Sequence, residues 1–482
     1  MRFNKIFSQV ILPLLVLLLF SILVPELLAD DVSVPAKVLI TVHPDKPGVA
    51  IPTNFLGLSY EKSMLAESHF RPDNDELIHF FQNLGNGVVR FGGNKVETTH
   101  WQGAQSTALN TASNTGICIC PRDLDNLYSF AKQSGWRVIH GLNLAGNNPD
   151  LAADEAAYAL QIGGPTVLAF EVGNEPDYYV RHNLRPVGYA YSQYCKEEGT
   201  EQRTILARSP HAPLAGPATT KLSDWFASFV ADYKGRVVLA TSHFYSLSAK
   251  STDSRTPGFP TVENLLSGST KKIWQSVIGE RQKAAHDAGI PFRLGECNTV
   301  SNGGKDGVSD VFASALWGVD FLFDVAELGV GGINFHGGFS EHGYTPFSFR
   351  DQHYSAHPLY YGMLLFHQAA VGRVVPVEYQ TTVNITAHAV LGDDGKLRVV
   401  LINKNLTQAV SATIVCGLLK QNAKVVRLEA PSVLSKDKIT LAGSAVSVSG
   451  TWTPRSGESV ISVNGSFEVL LPAASALLLT VE

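Results

Sequence analysis

The sequence predicts a parallel (β/α)8 TIM barrel followed by an antiparallel β-sandwich, and two patterns along the chain carry this prediction. Between residues 54 and 371, short apolar runs alternate with longer helical patterns, which is typical of βα units around a parallel sheet. From about residue 374, successive runs of Val, Leu, Ile and Thr are typical of an antiparallel β-domain. We therefore expect the barrel over residues 51–371 and the sandwich over residues 372–482.

Eight apolar runs supply the predicted barrel strands, at residues 55–60, 88–91, 138–142, 167–172, 213–216, 237–245, 292–296 and 332–336. Clear helical patterns fall at residues 75–84, 122–134, 150–162, 262–287 and 308–328. A barrel fits better than an open nucleotide-binding sheet, because the turn at residues 90–94 lacks the GxGxxG spacing.

The N-terminal 50 residues contain two further predicted features. Residues 1–29 have a short basic start followed by an apolar stretch, which predicts a cleaved signal peptide and a secreted or periplasmic protein. An uncleaved membrane anchor is the alternative, whereas cleavage leaves no stable membrane association. Within residues 30–50, the apolar run at 36–42 is expected to add a strand to the β-sandwich.

Composition argues against several partners and ligands. The net charge is only -5 and Lys and Arg form no run beyond pairs, so no nucleic-acid partner is expected. The five cysteines show no metal-type spacing, and we predict neither a metal nor a cofactor. Buried free thiols are favoured over a disulfide from Cys118 or Cys120 to Cys195.

Two glutamates directly follow predicted barrel strands. Glu175 follows the fourth strand and Glu296 ends the seventh, and active sites of barrels lie at these strand ends. Hydrolysis of a glycosidic bond needs one carboxylic acid and one carboxylate, about 5–5.5 Å apart in a retaining enzyme. Solvated loop acids are the alternative, but the shared position after apolar runs favours catalysis, with one glutamate protonated and the other ionised.

Five motifs, in order along the chain, resemble glycoside hydrolase family 79 of clan A, which includes β-glucuronidases and heparanase-like enzymes. They lie at residues 55–61, 90–94, 170–177, 243–245 and 296–298. The resemblance covers nearly all of the mature chain. It implies that Glu175 is the general acid/base and Glu296 the nucleophile of a retaining hydrolase.

The resemblance also suggests roles for residues around the pair. Asn174 is expected to bind the sugar 2-hydroxyl, and Tyr245, which shares a strand face with His243, to donate to the nucleophile. Arg90 has two equal readings: its charge keeps Glu296 ionised, or it pairs with Glu171. A structural amide and a core tyrosine remain the alternatives for Asn174 and Tyr245.

The loops after the last two strands are candidates for holding a sugar carboxylate. Glycines at residues 303 and 304 offer backbone N–H groups, and Tyr344 is the second element. Ser301 stands where a glucuronidase of this type is expected to carry a tyrosine, which weighs against uronic-acid specificity. The remaining candidates, for sugar hydroxyls, are Glu61, Asn94 and Asn302, whereas Gly303 belongs to the carboxylate-binding loop.

The resulting hypothesis is that the protein binds a carbohydrate and, as an exo-acting hydrolase, releases terminal β-linked glucuronic acid with or without a 4-O-methyl group. A clan A exo-glycosidase for a neutral sugar, a heparanase-like endo-β-glucuronidase and a non-catalytic carbohydrate-binding protein are the alternatives. Endo-cleavage of sulfated chains is less favoured, since the motif loops show no concentration of Lys and Arg. A Ser-His-Asp hydrolase lacks its GxSxG elbow.

Overall fold

The computed structural model describes residues 34–106, 116–418, 422–455 and 457–482. The expected signal peptide lies outside the described residues. No helix within the described ranges has the length and apolarity needed to cross a membrane. Pro35–Glu482 form one compact unit, so the barrel and the sandwich pack as a single body.

Eight parallel strands close into a barrel, which confirms the predicted fold class. Strand β1 (Ala36–Val42) precedes the barrel, and β2 (Gly57–Glu61) and β3 (Gly87–Gly92) begin it. Strands β4 (Thr99–Trp101) and β5 (Ile117–Ile119) form a separate pair. The other barrel strands are β6 (Trp136–Leu142), β7 (Val167–Val172), β8 (Leu214–Thr219), β9 (Leu239–Leu247), β10 (Phe292–Val300) and β11 (Ile333–His336). Each predicted strand overlaps one of these eight.

The helices lie between the strands, with one correction to the prediction. They are α1 (Asp75–Asn83), α2 (Pro121–Ser134), α3 (Pro149–Gly163), α4 (Tyr191–Arg208), α5 (Trp225–Asp232), α6 (Val262–Leu265), α7 (Gly268–Ala288), α8 (Ala313–Glu327) and α9 (Pro358–Ala369). The single stretch predicted at residues 262–287 is wrong. The helix is interrupted there because the Ser267 side chain accepts the backbone N–H of Thr270 at 3.1 Å and caps the start of a new helix.

Two sheets form the C-terminal β-sandwich. After the hairpin of β12 (Phe347–Arg350) and β13 (His353–Ala356), its strands are β14 (Arg373–Val374), β15 (Val377–Tyr379), β16 (Ile385–Leu391), β17 (Leu397–Asn403), β18 (Val410–Val415), β19 (Asn422–Glu429), β20 (Thr440–Leu441), β21 (Glu458–Ile461), β22 (Ser466–Leu471) and β23 (Ser475–Val481). One sheet has the order β15-β1-β18-β22. The other has the order β14-β16-β17-β23-β19-β20, and β21 pairs with β19.

Strand β1 lies inside the smaller sheet. It runs antiparallel to β15 but parallel to β18, so one pairing departs from the expected antiparallel pattern. Its alternate residues Val38, Ile40 and Val42 are buried in the core between the two sheets. The first described strand of the chain therefore completes its last domain.

A group of charged side chains, which we call the interface cluster, joins the barrel to the sandwich. It consists of Lys271, Asp320, Asp324, Glu327, His388 and Lys404. The ammonium of Lys271 lies 2.8 Å from Asp320, and that of Lys404 lies 2.6 Å from the same carboxylate. His388 bridges Asp320 at 2.9 Å and Glu327 at 2.6 Å. Opposite charges thus compensate one another in this buried contact.

All five cysteines are free thiols, as expected. Cys120, Cys297 and Cys416 are buried, whereas Cys118 and Cys195 are half-buried.

Candidate active site

The carboxyl ends of the barrel strands surround a cavity of about 580 Å³. This is the face on which barrel active sites are built. The predicted residues that line it are Glu61, Asn94, Glu175, His243, Tyr245, Glu296, Asn302, Gly303 and Tyr344. Arg90 and Asn174 are not among the lining residues, because both side chains are buried behind this wall.

The two predicted catalytic glutamates meet in this cavity. Glu175 directly follows the loop after β7, and Glu296 lies within β10. One carboxylate oxygen of each lies within 4.8 Å of one carboxylate oxygen of the other. The backbone of Glu175 is left-handed, with φ 47° and ψ 54°, and its N–H donates to the carbonyl of Ala218 at 2.9 Å. The loop therefore aims an acidic side chain at the centre of the barrel.

Four groups stabilise the charge on Glu296. Arg90 Nη1 donates to one oxygen at 3.0 Å, and the Tyr245 hydroxyl donates to the other at 2.7 Å. His336 and His243 lie 3.7 and 4.0 Å away. Burial favours the neutral acid, but these neighbours outweigh it and hold the pKa of Glu296 well below its ordinary value. Glu296 is therefore ionised throughout the neutral range.

Both readings of Arg90 hold at once. Its Nε donates to Glu171 at 2.6 Å while its Nη1 contacts Glu296. Its Nη2 donates to the side-chain oxygen of Asn174 at 2.8 Å, and the Asn174 amide donates to Asn94 at 3.3 Å. Of the two amides, Asn94 lines the cavity and Asn174 does not. Asn174 thus lies one layer behind the surface where a sugar hydroxyl is expected.

His243 lies between the two glutamates. Its Nδ1 is 2.9 Å from Glu175, and the three side chains together could present ligands to a metal ion. Within this group, Glu296 is already paired with Arg90 at 3.0 Å. Asp320, Asp324 and His388 form a second such group, in which the ammonium of Lys271 already contacts both carboxylates.

The loops after β10 and β11 touch through their backbones. The N–H of Tyr344 donates to the carbonyl of Gly303 at 3.3 Å, and a Cβ added to Gly304 would lie 2.6 Å from the Tyr344 nitrogen. With φ of 95° at Gly304, a larger residue there is excluded. The Tyr344 ring stacks on Tyr245 at 5.8 Å, and Ser301 also lines the cavity.

Three cations that were not predicted from the sequence line the cavity. Arg181 follows β7, Lys221 follows β8 and Lys250 follows β9. The ammonium of Lys221 donates to the backbone carbonyl of Tyr245, and burial lowers the pKa of Lys221 to about 8. The expectation that Lys and Arg are not concentrated near the motif loops is wrong, because folding gathers residues from three separate loops.

His336 is a further site residue that was not singled out. It ends strand β11, contacts Ser59 at 3.1 Å and lies 3.8 Å from Glu61. Burial opposes its protonation, but Glu296 and Glu61 raise the pKa of His336. The rule that pointed to the glutamates, a polar residue at the end of an apolar strand run, also points to this histidine.

Comparisons with known proteins relate the chain to one family. Residues 387–478 match the model of the glycosyl hydrolase family 79 C-terminal beta domain. A beta-glucuronidase of Aspergillus niger is 26% identical over 336 residues, which are 61% of this chain and 60% of that protein. A beta-glucuronidase of Neurospora crassa is 24% identical, over 64% of this chain and 61% of that protein. The alignments thus span about three fifths of each relative's length.

The fold also matches a solved structure. A 4-O-alpha-L-rhamnosyl-beta-D-glucuronidase from Fusarium oxysporum superimposes with a TM-score of 0.78 at 22% identity, covering 92% of this chain and all of that one. A family 51 alpha-L-arabinofuranosidase from Bifidobacterium longum has a TM-score of 0.72 at 13% identity, covering 93% of this chain and 100% of that one. The resemblance to glycoside hydrolase family 79 is confirmed.

Proposed function

We propose that this protein is a retaining exo-glycoside hydrolase that releases terminal β-linked glucuronic acid. One observation carries the proposal: carboxylate oxygens of Glu175 and Glu296 lie within 4.8 Å of each other. Inverting enzymes need about 6.5–9.5 Å between their carboxyl groups to admit a water, so this separation favours a covalent glycosyl intermediate.

The geometry gives each glutamate a step in double displacement. Ionised Glu296 attacks the anomeric carbon while Glu175 gives its proton to the departing oxygen. Glu175 then removes a proton from water, and that water releases the sugar from Glu296. Arg90 and Tyr245 keep Glu296 charged and fixed in its attacking position.

The cavity supports a uronic acid at the cleaved position. Gly303 and Tyr344 bring a backbone N–H and a phenol to one side of the cavity, and both groups donate to carboxylates. The two similar beta-glucuronidases support the same sugar. Ser301 leaves more room than a tyrosine there, so a 4-O-methylated sugar belongs in the substrate panel.

An endo-acting β-glucuronidase is the second candidate, and the cavity cations favour it. Arg181, Lys221 and Lys250 lie on the loops after β7 to β9, the side that also carries the proton donor Glu175. The proton donor faces the leaving group. A leaving group with its own negative charges, as in an acidic polysaccharide, would complement these cations.

The test is hydrolysis of an aryl β-glucuronide, its 4-O-methyl derivative and the matching β-glucoside and β-xyloside by the chain without residues 1–29. Glu175→Gln and Glu296→Gln are each expected to lower glucuronide turnover by roughly 10²- to 10⁴-fold. Retention is read by NMR from the anomer first released. Preference for a neutral glycoside contradicts the uronic acid, whereas binding without turnover of any substrate supports a carbohydrate-binding protein.

We also propose export of the protein through residues 1–29. Expression of the full chain with detection of the mature N-terminus outside the cell tests this. A product that keeps these residues and stays with the membrane overturns it.

A further inference from the structure

Glu97 is a buried carboxylate next to the active site that the proposed mechanism does not use. It lies in the turn after β3 and is 5% exposed. Its oxygens accept the backbone N–H groups of Leu144 at 3.1 Å, Ala145 at 2.8 Å and Asn174 at 2.9 Å. The Tyr179 hydroxyl donates to it as well. Glu97 does not line the cavity, so it acts through the groups that it holds.

Two of these contacts flank Glu175 along the chain. Asn174 directly precedes Glu175, and the ring of Tyr179 follows four residues later. Between them, the backbone of Glu175 is left-handed with φ of 47°, and Gly173, just before Asn174, has φ of 78°. A left-handed residue other than glycine costs on the order of 1–3 kcal/mol and persists only where its surroundings fix it.

Several groups fix this segment, among them the side-chain partners of Asn174 and the contact of His243 with Glu175. Ala218 accepts the N–H of Glu175, and Glu97 accepts the N–H of the preceding residue and the hydroxyl that follows. Burial raises the pKa of Glu97, whereas its four hydrogen-bond donors favour the ionised form. An ionised carboxylate only accepts hydrogen bonds, so it suits a position that faces these donors. A neutral amide at residue 97 turns one NH2 group toward two of these donors and loses those contacts.

We propose that Glu97 is a positioning residue that aims Glu175 at the glycosidic oxygen. This inference rests on the proposed function. It predicts a specific defect: loss of Glu97 weakens proton donation to the leaving group and leaves the attack by Glu296 largely intact. The nucleophile keeps Arg90 and Tyr245, neither of which contacts Glu97.

The experiment compares two leaving groups. The phenol of phenyl β-glucuronide needs a proton donor in order to leave, whereas the fluoride ion of β-glucuronyl fluoride leaves without one. Glu97→Gln is expected to lower kcat/KM for the phenyl substrate by roughly 100-fold, the lower range of general-acid catalysis, with less than about fivefold loss on the fluoride. Glu175→Gln serves as the reference for this pattern. Tyr179→Phe, which removes one of four donors, is the matched control and should lose less than Glu97→Gln.

Each outcome bears on the inference. Equal losses on both substrates show that Glu97 has a general structural role, and unchanged rates show that it has none; either result overturns the proposal. Glu97→Asp should restore part of the phenyl activity. If the wild type hydrolyses a neutral glycoside instead, the same comparison is made with phenyl β-glucoside and β-glucosyl fluoride. That result contradicts only the proposed specificity for a uronic acid. A chain that hydrolyses no glycoside overturns both proposals.

Discussion

Tyr245 and Tyr344 stack on each other but have different partners in the cavity. Tyr245 donates to Glu296, and Tyr344 belongs to the loop pair proposed to hold the sugar carboxylate. We expect Tyr245→Phe to lower kcat by roughly 10- to 100-fold, because a donor to a charged group contributes about 1.5–3 kcal/mol. Tyr344→Phe should instead raise KM for the glucuronide and leave that for the glucoside unchanged.

Steady-state kinetics on both substrates checks this pair. The same change in kcat for both variants would contradict the division of roles between the two tyrosines. Unchanged melting temperatures would exclude a folding defect as the cause.

Single residues were predictable where they follow an apolar strand run. Glu175 and Glu296 carried that signal, the role of Tyr245 came from the family resemblance, and the structure places all three on one cavity. Glu97 carried none, since it lies in a short turn and its partners are backbone groups of two other loops. The role of Arg181 was not predictable for a related reason. A single cation in the sequence does not indicate a binding site until folding places it beside cations from other loops.

His388 of the interface cluster connects two secondary-structure elements, β16 of the sandwich and α8 of the barrel. Burial opposes the imidazolium, but Glu327 and Asp320 outweigh it and raise the pKa of His388 to about 9. The other charged or titratable groups facing this contact are Lys271, Asp324, Tyr379 and Lys404. Because the folded-state pKa is raised, this stabilisation is complete below about pH 6.5 and is lost as the pH rises through about 9.

We therefore expect the free energy of unfolding to fall by roughly 2 kcal/mol more in the wild type than in His388→Asn between pH 6.5 and pH 9.5. Urea unfolding across this range measures the difference. His211→Asn, which changes an exposed histidine, is the matched control and should follow the wild type. Parallel curves for His388→Asn and the wild type would contradict the role of the cluster.

Elements were predictable in kind more than in extent. Buried barrel strands read as continuous apolar runs, and each predicted run overlaps a strand. The long helix at residues 262–287 was wrong because a serine cap competes with helix continuation, and the apolar periodicity on both sides hides the break. A Ser-Gly pair at residues 267 and 268 is the local signal that was available.

The stability of the whole molecule includes a contribution from β1, whose buried side chains belong to the sandwich core. Ile40 is fully buried, whereas its neighbour Leu39 is 59% exposed. Ile40→Ala is expected to cost roughly 2–5 kcal/mol of unfolding free energy, and Leu39→Ala less than about 0.5 kcal/mol. Thermal unfolding of both variants measures this, and equal shifts in Tm would contradict the position of β1 in the core.

The chain-level topology was predictable only in part. The apolar run at residues 36–42 predicted that this segment joins the sandwich, and its pairing with β15 and β18 confirms this. The parallel direction of its pairing with β18 was not predicted. Strand periodicity is the same in both directions, so direction is decided by where the chain enters the sheet.

The position of β1 sets an order for folding. The ribosome makes residues 36–42 first, but their partners at residues 410–415 emerge after more than three quarters of the chain. Until then only the short strand β15 can pair with β1, and the other edge of β1 is unpaired and prone to association with other chains. The smaller sheet is therefore complete only when synthesis is nearly finished. A prematurely terminated chain lacks β18 and β22, so β1 cannot form its full set of pairings.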